Sequence, residues 1–322
     1  MSFGSLRGSA RKYHYISCSY FSTARSASTS LTSATSDPSV SLDFHRDASL
    51  AVLTLCNSQH RNALTYSMMH QLDTHVKTIH EWSNSTENNA RVLILTGSGG
   101  TFCAGLDIRQ NNDNDTPLQD GRKMAEHMSR LTNCIHSLPV LSVAAVDGNA
   151  IGGGAELSTC TDLVVLSRQS TIKFVHASRG ASPGWGGGRR LVHRVGRRKA
   201  LQMLLLGKSV HGNEEAEQLD YADYVAEIGE SAFEAATRLV VDPILDLPCS
   251  QSVKAIKRVV SVADGDDNII DLSSGRLRYQ TLDNHRDVVK AEVDAFMQVW
   301  GSENNRELIQ LAKDSLNDKK KS

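Results

Sequence analysis

The stretch Gly148-Asn149-Ala150-Ile151-Gly152-Gly153-Gly154-Ala155-Glu156-Leu157 follows the aliphatic run Val140–Val146. The run reads as a buried strand and Ile151–Cys160 as a glycine-opened helix, so the stretch is a strand-to-helix turn. Glycine lets the backbone turn sharply there and lets a ligand come close to the main chain. The turn also points unpaired N–H groups, at the start of a helix, toward an anionic oxygen. A second stretch of the same kind, Gly97-Ser98-Gly99-Gly100-Thr101-Phe102-Cys103-Ala104-Gly105-Leu106-Asp107-Ile108, follows the strand signal Arg91–Thr96. Two such turns can aim one N–H each at a single oxygen. The spacing of the glycines makes neither a G-x-G-x-x-G nor a G-x-x-x-x-G-K-[ST], and no G-x-S-x-G occurs. Dinucleotide, nucleoside-triphosphate and serine-nucleophile readings fail on that ground. Taken alone, the two turns are also compatible with a purely structural role.

The pattern continues on both sides. Leu50–Leu55 reads as a strand, and Thr65–Trp82 carries Met68, Met69, Leu72, Val76 and Ile79 at helical spacing. A polar loop spans Asn111–Gln119, a helix runs to about Ser137, and Leu163–Leu166 and Thr171–Val175 read as strands. Strand signals end near residue 230. Beyond it Ser252–Val262, Asn268–Trp300 and Arg306–Asn317 read as helices, with a break at Asp242-Pro243. The expectation is an α/β core over 37–240 and a helical C-terminal region over 241–322.

Composition narrows the class. The 322 residues are 40% apolar and 22% charged, as in a globular chain. Lys and Arg total 35 against 36 Asp and Glu, so no global field draws the chain to nucleic acid or an anionic membrane. No apolar run approaches the ~20 residues that span a bilayer. The six cysteines are scattered without a C-x-x-C, which reads as reduced thiols. His70, His75 and His80 recur every five residues, about 140° apart on a helix, and do not converge on a metal. Residues 1–36 hold Arg7, Arg11, Lys12 and Arg25, fifteen Ser and Thr, and no acid. That composition predicts an organelle transit peptide, hence a mitochondrial protein (or a plastid one in a photosynthetic source); the alternative is a disordered tail of no destination, and the cytoplasmic alternative comes from the resemblance given below.

Taken in order, Asn62-Ala63-Leu64, Phe102-Cys103-Ala104-Gly105-Leu106-Asp107-Ile108, the turn at 148–157 and Pro183-Gly184-Trp185-Gly186-Gly187-Gly188-Arg189-Arg190-Leu191 resemble the crotonase (enoyl-CoA hydratase/isomerase) superfamily. The resemblance covers roughly residues 40–317. It implies a spiral of ββα turns, a helical C-terminal trimerisation region giving a homotrimer or hexamer, and an acyl-CoA thioester as substrate. By the same resemblance the N–H groups of Leu106 and Gly153 hold the thioester oxygen as it gains enolate charge. Asn62, Ala63, Leu64, Ala104, Asp107 and Ile108 fall in the segments that line the CoA groove. No metal and no organic cofactor is implied, coenzyme A being part of the substrate.

Hydratases of the superfamily use two glutamates. The first matches Glu156; at the second, seven residues before Pro183-Gly184, stands His176. Ile172-Lys173-Phe174-Val175-His176, Trp185-Gly186-Gly187 and Phe296-Met297-Gln298-Val299-Trp300-Gly301 are more similar to the ethylmalonyl-CoA decarboxylase family. This implies decarboxylation of a malonyl-type thioester, ethylmalonyl-CoA or methylmalonyl-CoA, as metabolite repair in fatty-acid metabolism, and that family is expected in the cytosol. Pro183-Gly184-Trp185 departs from its Pro-Ser-Trp pattern. Enoyl-CoA hydratase/isomerase chemistry is the alternative. His176 would pair with the substrate carboxylate or donate to the enolate; it also reads as a hydrogen-bonded pocket histidine, and Glu156 as an acid favoured near a helix N-terminus. A non-enzyme reading, a CoA-thioester-binding pseudoenzyme or an RNA-binding protein, rests on Arg189, Arg190, Arg194, Arg197, Arg198 and Lys199. That run lacks interleaved aromatics and reads as a solvated helix face or subunit contact. Val289, Val293, Phe296 and Trp300, spaced by three or four, predict the subunit interface.

Overall fold

Alternation decides which way each strand faces. Leu53, Leu55, Leu93, Leu95, Ala144, Val146, Val164 and Leu166 fall in one buried cluster. Their neighbours Leu50, Val52, Val92, Ile94, Val143, Ala145 and Val165 fall in another. A sheet buried on both faces gives this division, because successive side chains point to opposite sides. Each fully enclosed Leu, Val or Ile is worth about 1.5–3 kcal/mol over an exposed one.

A computed structural model describes residues 37–85, 89–109 and 121–263, the backbone of 268–271 and 276–279, and single helical positions between 303 and 314. The strands are β1 (Ser39–His45), β2 (Leu50–Cys56), β3 (Val92–Gly97), β4 (Leu141–Val146), β5 (Asn149–Ile151), β6 (Leu163–Leu166), β7 (Thr171–Lys173), β8 (Val210–His211) and β9 (Tyr224–Val225). One sheet has the order β1-β2-β3-β4-β6-β9 and a second the order β5-β7-β8. In the first, β1 and β2 are antiparallel, and Leu53↔Leu95, Ile94↔Val143 and Ala144↔Val164 set the parallel register of the rest. Isolated bridges Leu64↔Leu106 and Cys103↔Ala150 extend the second sheet backward. Each turn of the chain thus lays one strand in the first sheet and, a few residues later, a short rung in the second.

A helix closes each turn: α1 (Tyr66–Asn84), α2 (Gly121–His136), α3 (Gly153–Ser158) and α4 (Gly187–Leu205). This is the expected spiral of ββα turns. The Thr65 side chain caps α1 by accepting from the Met68 N–H at 3.1 Å. The face predicted from spacing, Met68, Met69, Leu72, Val76 and Ile79, is buried. The remaining helices are α5 (Glu214–Gln218), α6 (Ala232–Ala236), α7 (Asp242–Leu245) and α8 (Ser250–Ala263). The Arg91 guanidinium, 5% exposed, donates to the carbonyls of Ile244, Leu245 and Leu247 and so caps the end of α7.

Three local expectations change. The chain does not break at Asp242-Pro243: a wide π-type turn over Thr237–Val241 leads straight into α7, with Pro243 in its first turn, where proline's missing N–H costs nothing. The helix placed at Ile151–Cys160 begins at Gly153, because Asn149–Ile151 is claimed by β7 as a parallel strand. Part of the segment Asn268–Trp300, expected as helix, is an antiparallel pair, β10 (Asn268–Asp271) with β11 (Arg276–Tyr279). The β-branched Ile269-Ile270 and the alternating Arg276-Leu277-Arg278-Tyr279 suit strands. Arg306, Glu307, Gln310, Leu311 and Asp314 are helical, as expected. Residues 1–36, the loop 111–119, and Val289, Val293, Phe296 and Trp300 lie outside the described residues.

Candidate functional site

Four turns of the spiral meet at the two glycine stretches. Leu64 N–H donates to the Gly105 carbonyl at 2.7 Å and Asp107 N–H to the Leu64 carbonyl at 3.0 Å. On the other side, Cys103 N–H donates to Asn149 and Ile151 N–H to Cys103. Leu106 falls between ladder bonds, and its N–H donates to none of the described acceptors. Gly105 has φ +88°, and a β-carbon there would stand 2.8 Å from the Ile151 carbonyl oxygen and 3.1 Å from the Gly153 nitrogen. Only glycine permits that approach.

Gly152, with φ 56° and ψ −119°, occupies backbone space closed to side-chain-bearing residues, and it starts α3. Gly153 is the first residue of α3, so its N–H has no helical carbonyl behind it. It too donates to none of the described acceptors. Two unpaired N–H groups therefore sit on turns in van der Waals contact. These are the N–H groups of Leu106 and Gly153 that the resemblance singled out.

Glu156 lies one turn further along α3 and is 1% exposed. Its Oε1 accepts from His176 Nε2 at 3.0 Å and from the Gly184 N–H at 3.3 Å. Its Oε2 accepts from the N–H groups of Trp185 at 2.8 Å and Gly187 at 3.1 Å. An ionised carboxylate offers about four lone-pair sites, and here four donors fill them. A β-carbon on Gly187 would stand 2.5 Å from Cβ and Cγ of Glu156, so the turn needs glycine to close on the carboxylate. The His176 ring is 6.2 Å, centre to centre, from that of Phe174, and its Nδ1 is enclosed with no hydrogen-bond partner. Val175 lies beside Gly152, whose β-carbon would be 3.3 Å from Val175 Cγ2, so His176 follows directly on a residue touching the turn.

Trp185 was legible only as part of a motif. Its indole packs on the α-carbon side of Gly153 so closely that a β-carbon there would collide with Cζ3. Its carbonyl accepts from Thr132 Oγ1 at 2.6 Å and from Arg190 Nη2 at 2.7 Å. Arg190, 5% exposed, also donates to Asn133 Oδ1 at 2.9 Å. No sequence signal pointed to Thr132 or Asn133, which come from a different turn of the spiral.

The groove candidates divide. Asn62 is enclosed at φ 54°, and its side chain donates to the carbonyls of Ser98 and Thr101 and accepts from Asn57 N–H. It clasps the turn at 57–62 to the turn at 97–101, and that side chain is spent on protein. Ala63 and Leu64 are buried. Ala104 and Leu106 are half-buried, and Ile108 is 75% exposed, a large apolar side chain beside the turn. Asp107 pairs with Arg109 at 2.7 Å, and that hydrogen bond holds its carboxyl below the usual value although burial pulls the other way.

The basic run on α4 is largely engaged. Arg194 donates to the carbonyls of Tyr221 and Asp162 and to Asp223, and Lys199 to the Leu219 carbonyl and Asp220. A cavity of about 340 Å³ lies here, lined in part by His136, Asp162, Arg190 and Asp223, and contains neither Glu156, His176 nor the glycine turns. His75 Nε2 bonds the Val40 carbonyl, and His70 packs against His127. Among the described residues no three His, Cys, Asp or Glu cluster as metal ligands, and no helix is long and apolar enough to cross a membrane.

Known proteins share both pattern and shape. Residues 45–266 match the family enoyl-CoA hydratase/isomerase. A protein of Danio rerio named ethylmalonyl-CoA decarboxylase is 34% identical over 274 residues, 84% of this chain and 82% of its own length. One of Xenopus tropicalis with the same name is 33% identical over 255 residues, 79% of this chain and 77% of its own. The crystal structure of an enoyl-CoA hydratase from Bacillus anthracis superposes with a TM-score of 0.68 at 22% identity, covering 86% of this chain and 96% of that one. The chain belongs to the enoyl-CoA hydratase/isomerase (crotonase) family.

Proposed function

We propose that the protein decarboxylates a malonyl-type acyl-CoA thioester, ethylmalonyl-CoA or methylmalonyl-CoA, through an enolate. The observation that carries the reading is the pair of unpaired N–H groups, Leu106 and Gly153, on touching turns. The C–CO2 bond breaks, its electron pair delocalises onto the thioester oxygen, and the two N–H groups hold that oxygen as it becomes anionic. Removing one such donor costs about 2.7–4 kcal/mol of barrier in enzymes that rely on it. The thioester is itself the electron sink, so this route calls on no metal or organic cofactor. Relatives named ethylmalonyl-CoA decarboxylase at 33–34% identity support the reaction class, as does His176 where a hydratase carries a second glutamate.

The test is direct. Purified protein is given ethylmalonyl-CoA, methylmalonyl-CoA and crotonyl-CoA, and CO2 and the acyl-CoA products are followed by mass spectrometry. Butyryl-CoA and CO2 from the first substrate support the proposal. Hydration of crotonyl-CoA without CO2 release from either malonyl-type thioester would replace it with the hydratase reading.

A further inference from the structure

We propose that His176 Nδ1 carries the proton that quenches the enolate, and that Glu156 is a positioning residue acting through His176 and the 184–187 turn. The inference rests on the enolate reading above. Glu156 has the place of a catalytic acid but not the freedom of one: its two oxygens accept four hydrogen bonds, and its side chain is 2% exposed. A carboxylate so filled does not reach a substrate atom without giving up one of those four bonds. Because the carboxylate accepts only, the Nε2 of His176 must be its donor whether the ring is neutral or charged, and the bond fixes which nitrogen faces Glu156. What remains is Nδ1. It is the one polar atom of this cluster that is enclosed and unpartnered, a state costly enough to call for an explanation. It lies on the residue after Val175, which touches the glycine turn.

The step balances as follows. His176 starts as the imidazolium, with Nε2–H on Glu156 and a proton on Nδ1. The C–CO2 bond breaks and CO2 leaves; the electron pair held as enolate then takes the Nδ1 proton to form the α-C–H bond. The ring is left neutral with its Nε2–H bond intact, and solvent returns a proton to Nδ1 after product leaves. Glu156 offsets the positive ring throughout and fixes its orientation.

Two readouts in D2O test this. One is the configuration at C2 of the deuterated butyryl-CoA formed from ethylmalonyl-CoA. The other is exchange of the α-hydrogens of butyryl-CoA itself, which needs no CO2 chemistry. His176→Gln keeps an N–H where Nε2 stood, and so keeps the bond to Glu156, but has no Nδ1. It should lower α-exchange by 100-fold or more and give racemic C2, a loss in the range of general acid catalysis. Glu156→Gln should slow both reactions while product stays of one configuration, since the donor is unchanged. Single-configuration product and wild-type exchange in His176→Gln, or racemic product in Glu156→Gln alone, would overturn the assignment. If wild type releases no CO2 yet exchanges butyryl-CoA in a His176-dependent way, the decarboxylase reading fails and this one stands. If wild type exchanges nothing, this one fails.

Discussion

Gly153 and Trp185 are pressed together, the indole occupying the space any side chain at 153 would need. One turn of the spiral thus supplies the N–H and another the wall above it. Gly153→Ala should therefore push the indole away and misplace the N–H. We expect at least a 100-fold lower kcat on ethylmalonyl-CoA, about 2.7 kcal/mol of barrier. Tryptophan fluorescence should shift with it. An active Gly153→Ala enzyme with an unshifted spectrum would argue against the turn being the hole.

Asp107 and Arg109 set a pH limit. The Arg109 hydrogen bond depresses the Asp107 carboxyl, so the pair adds stability that is present above the unfolded value of about 3.9 and lost as pH falls through the folded one. Arg109→Ala removes the largest cause of the depression and leaves the main-chain N–H of residue 109, so acid unfolding followed by circular dichroism should begin at a higher pH. Coincident acid transitions would show that the pair contributes nothing.

Thiol reactivity should be sharply selective. Burial pushes the thiols of Cys103 and Cys160 up to about 12 and that of Cys134 up to about 11. At pH 8 a thiol with such a value near 12 is thiolate to only about one part in ten thousand. Cys56 alone of the described cysteines is partly exposed. Iodoacetamide on native protein, read by peptide mass spectrometry, should label Cys56 and spare Cys103, Cys134 and Cys160 until denaturant is added. Early labelling of Cys103 would mean that the turn carrying it opens in solution.

Lys257 on α8 reaches Asp162 at 2.6 Å and the Val140 carbonyl at 3.0 Å, tying the C-terminal part of the chain to the sheet. Asp162 also accepts from the N–H and hydroxyl of Ser142. Breaking a buried pair on one side costs about 3–5 kcal/mol. Asp162, 20% exposed, places Asp162→Asn at the lower end of that range, at about 3 kcal/mol. Thermal unfolding should show a clear drop in Tm, and a wild-type Tm would mean water replaces the carboxylate without loss.

Light scattering at micromolar concentration checks assembly. The spacing of Val289, Val293, Phe296 and Trp300 leads us to expect a trimer or a dimer of trimers. A monomer would remove that proposal.

What could be read from the linear chain was what is local. The helical spacing of Met68 to Ile79 predicts the buried face of α1, and the glycine stretches at 97–108 and 148–157 predict two sharp turns. What escaped depends on distant partners. β5 is three residues long and exists because Thr171–Lys173 lies alongside it, so its own residues could not distinguish it from the start of a helix. Ile269-Ile270 leans to strand by β-branching, but two residues do not decide an element without the pairing with 276–279. Glu156 announced itself by position, but its bonds to N–H groups 28 to 31 residues downstream could not be read from its own segment.

On the function proposed above, the groups at Leu106 and Gly153 that hold the thioester oxygen are main chain. No side-chain replacement at Leu106 deletes an amide; proline or an amide-to-ester exchange does. On that reading the means of sheltering an enolate comes with the path of the backbone, while the group proposed to quench it is a single side chain, the one at 176. A change at 176 would then alter the fate of the enolate while leaving in place the main-chain N–H groups that hold it.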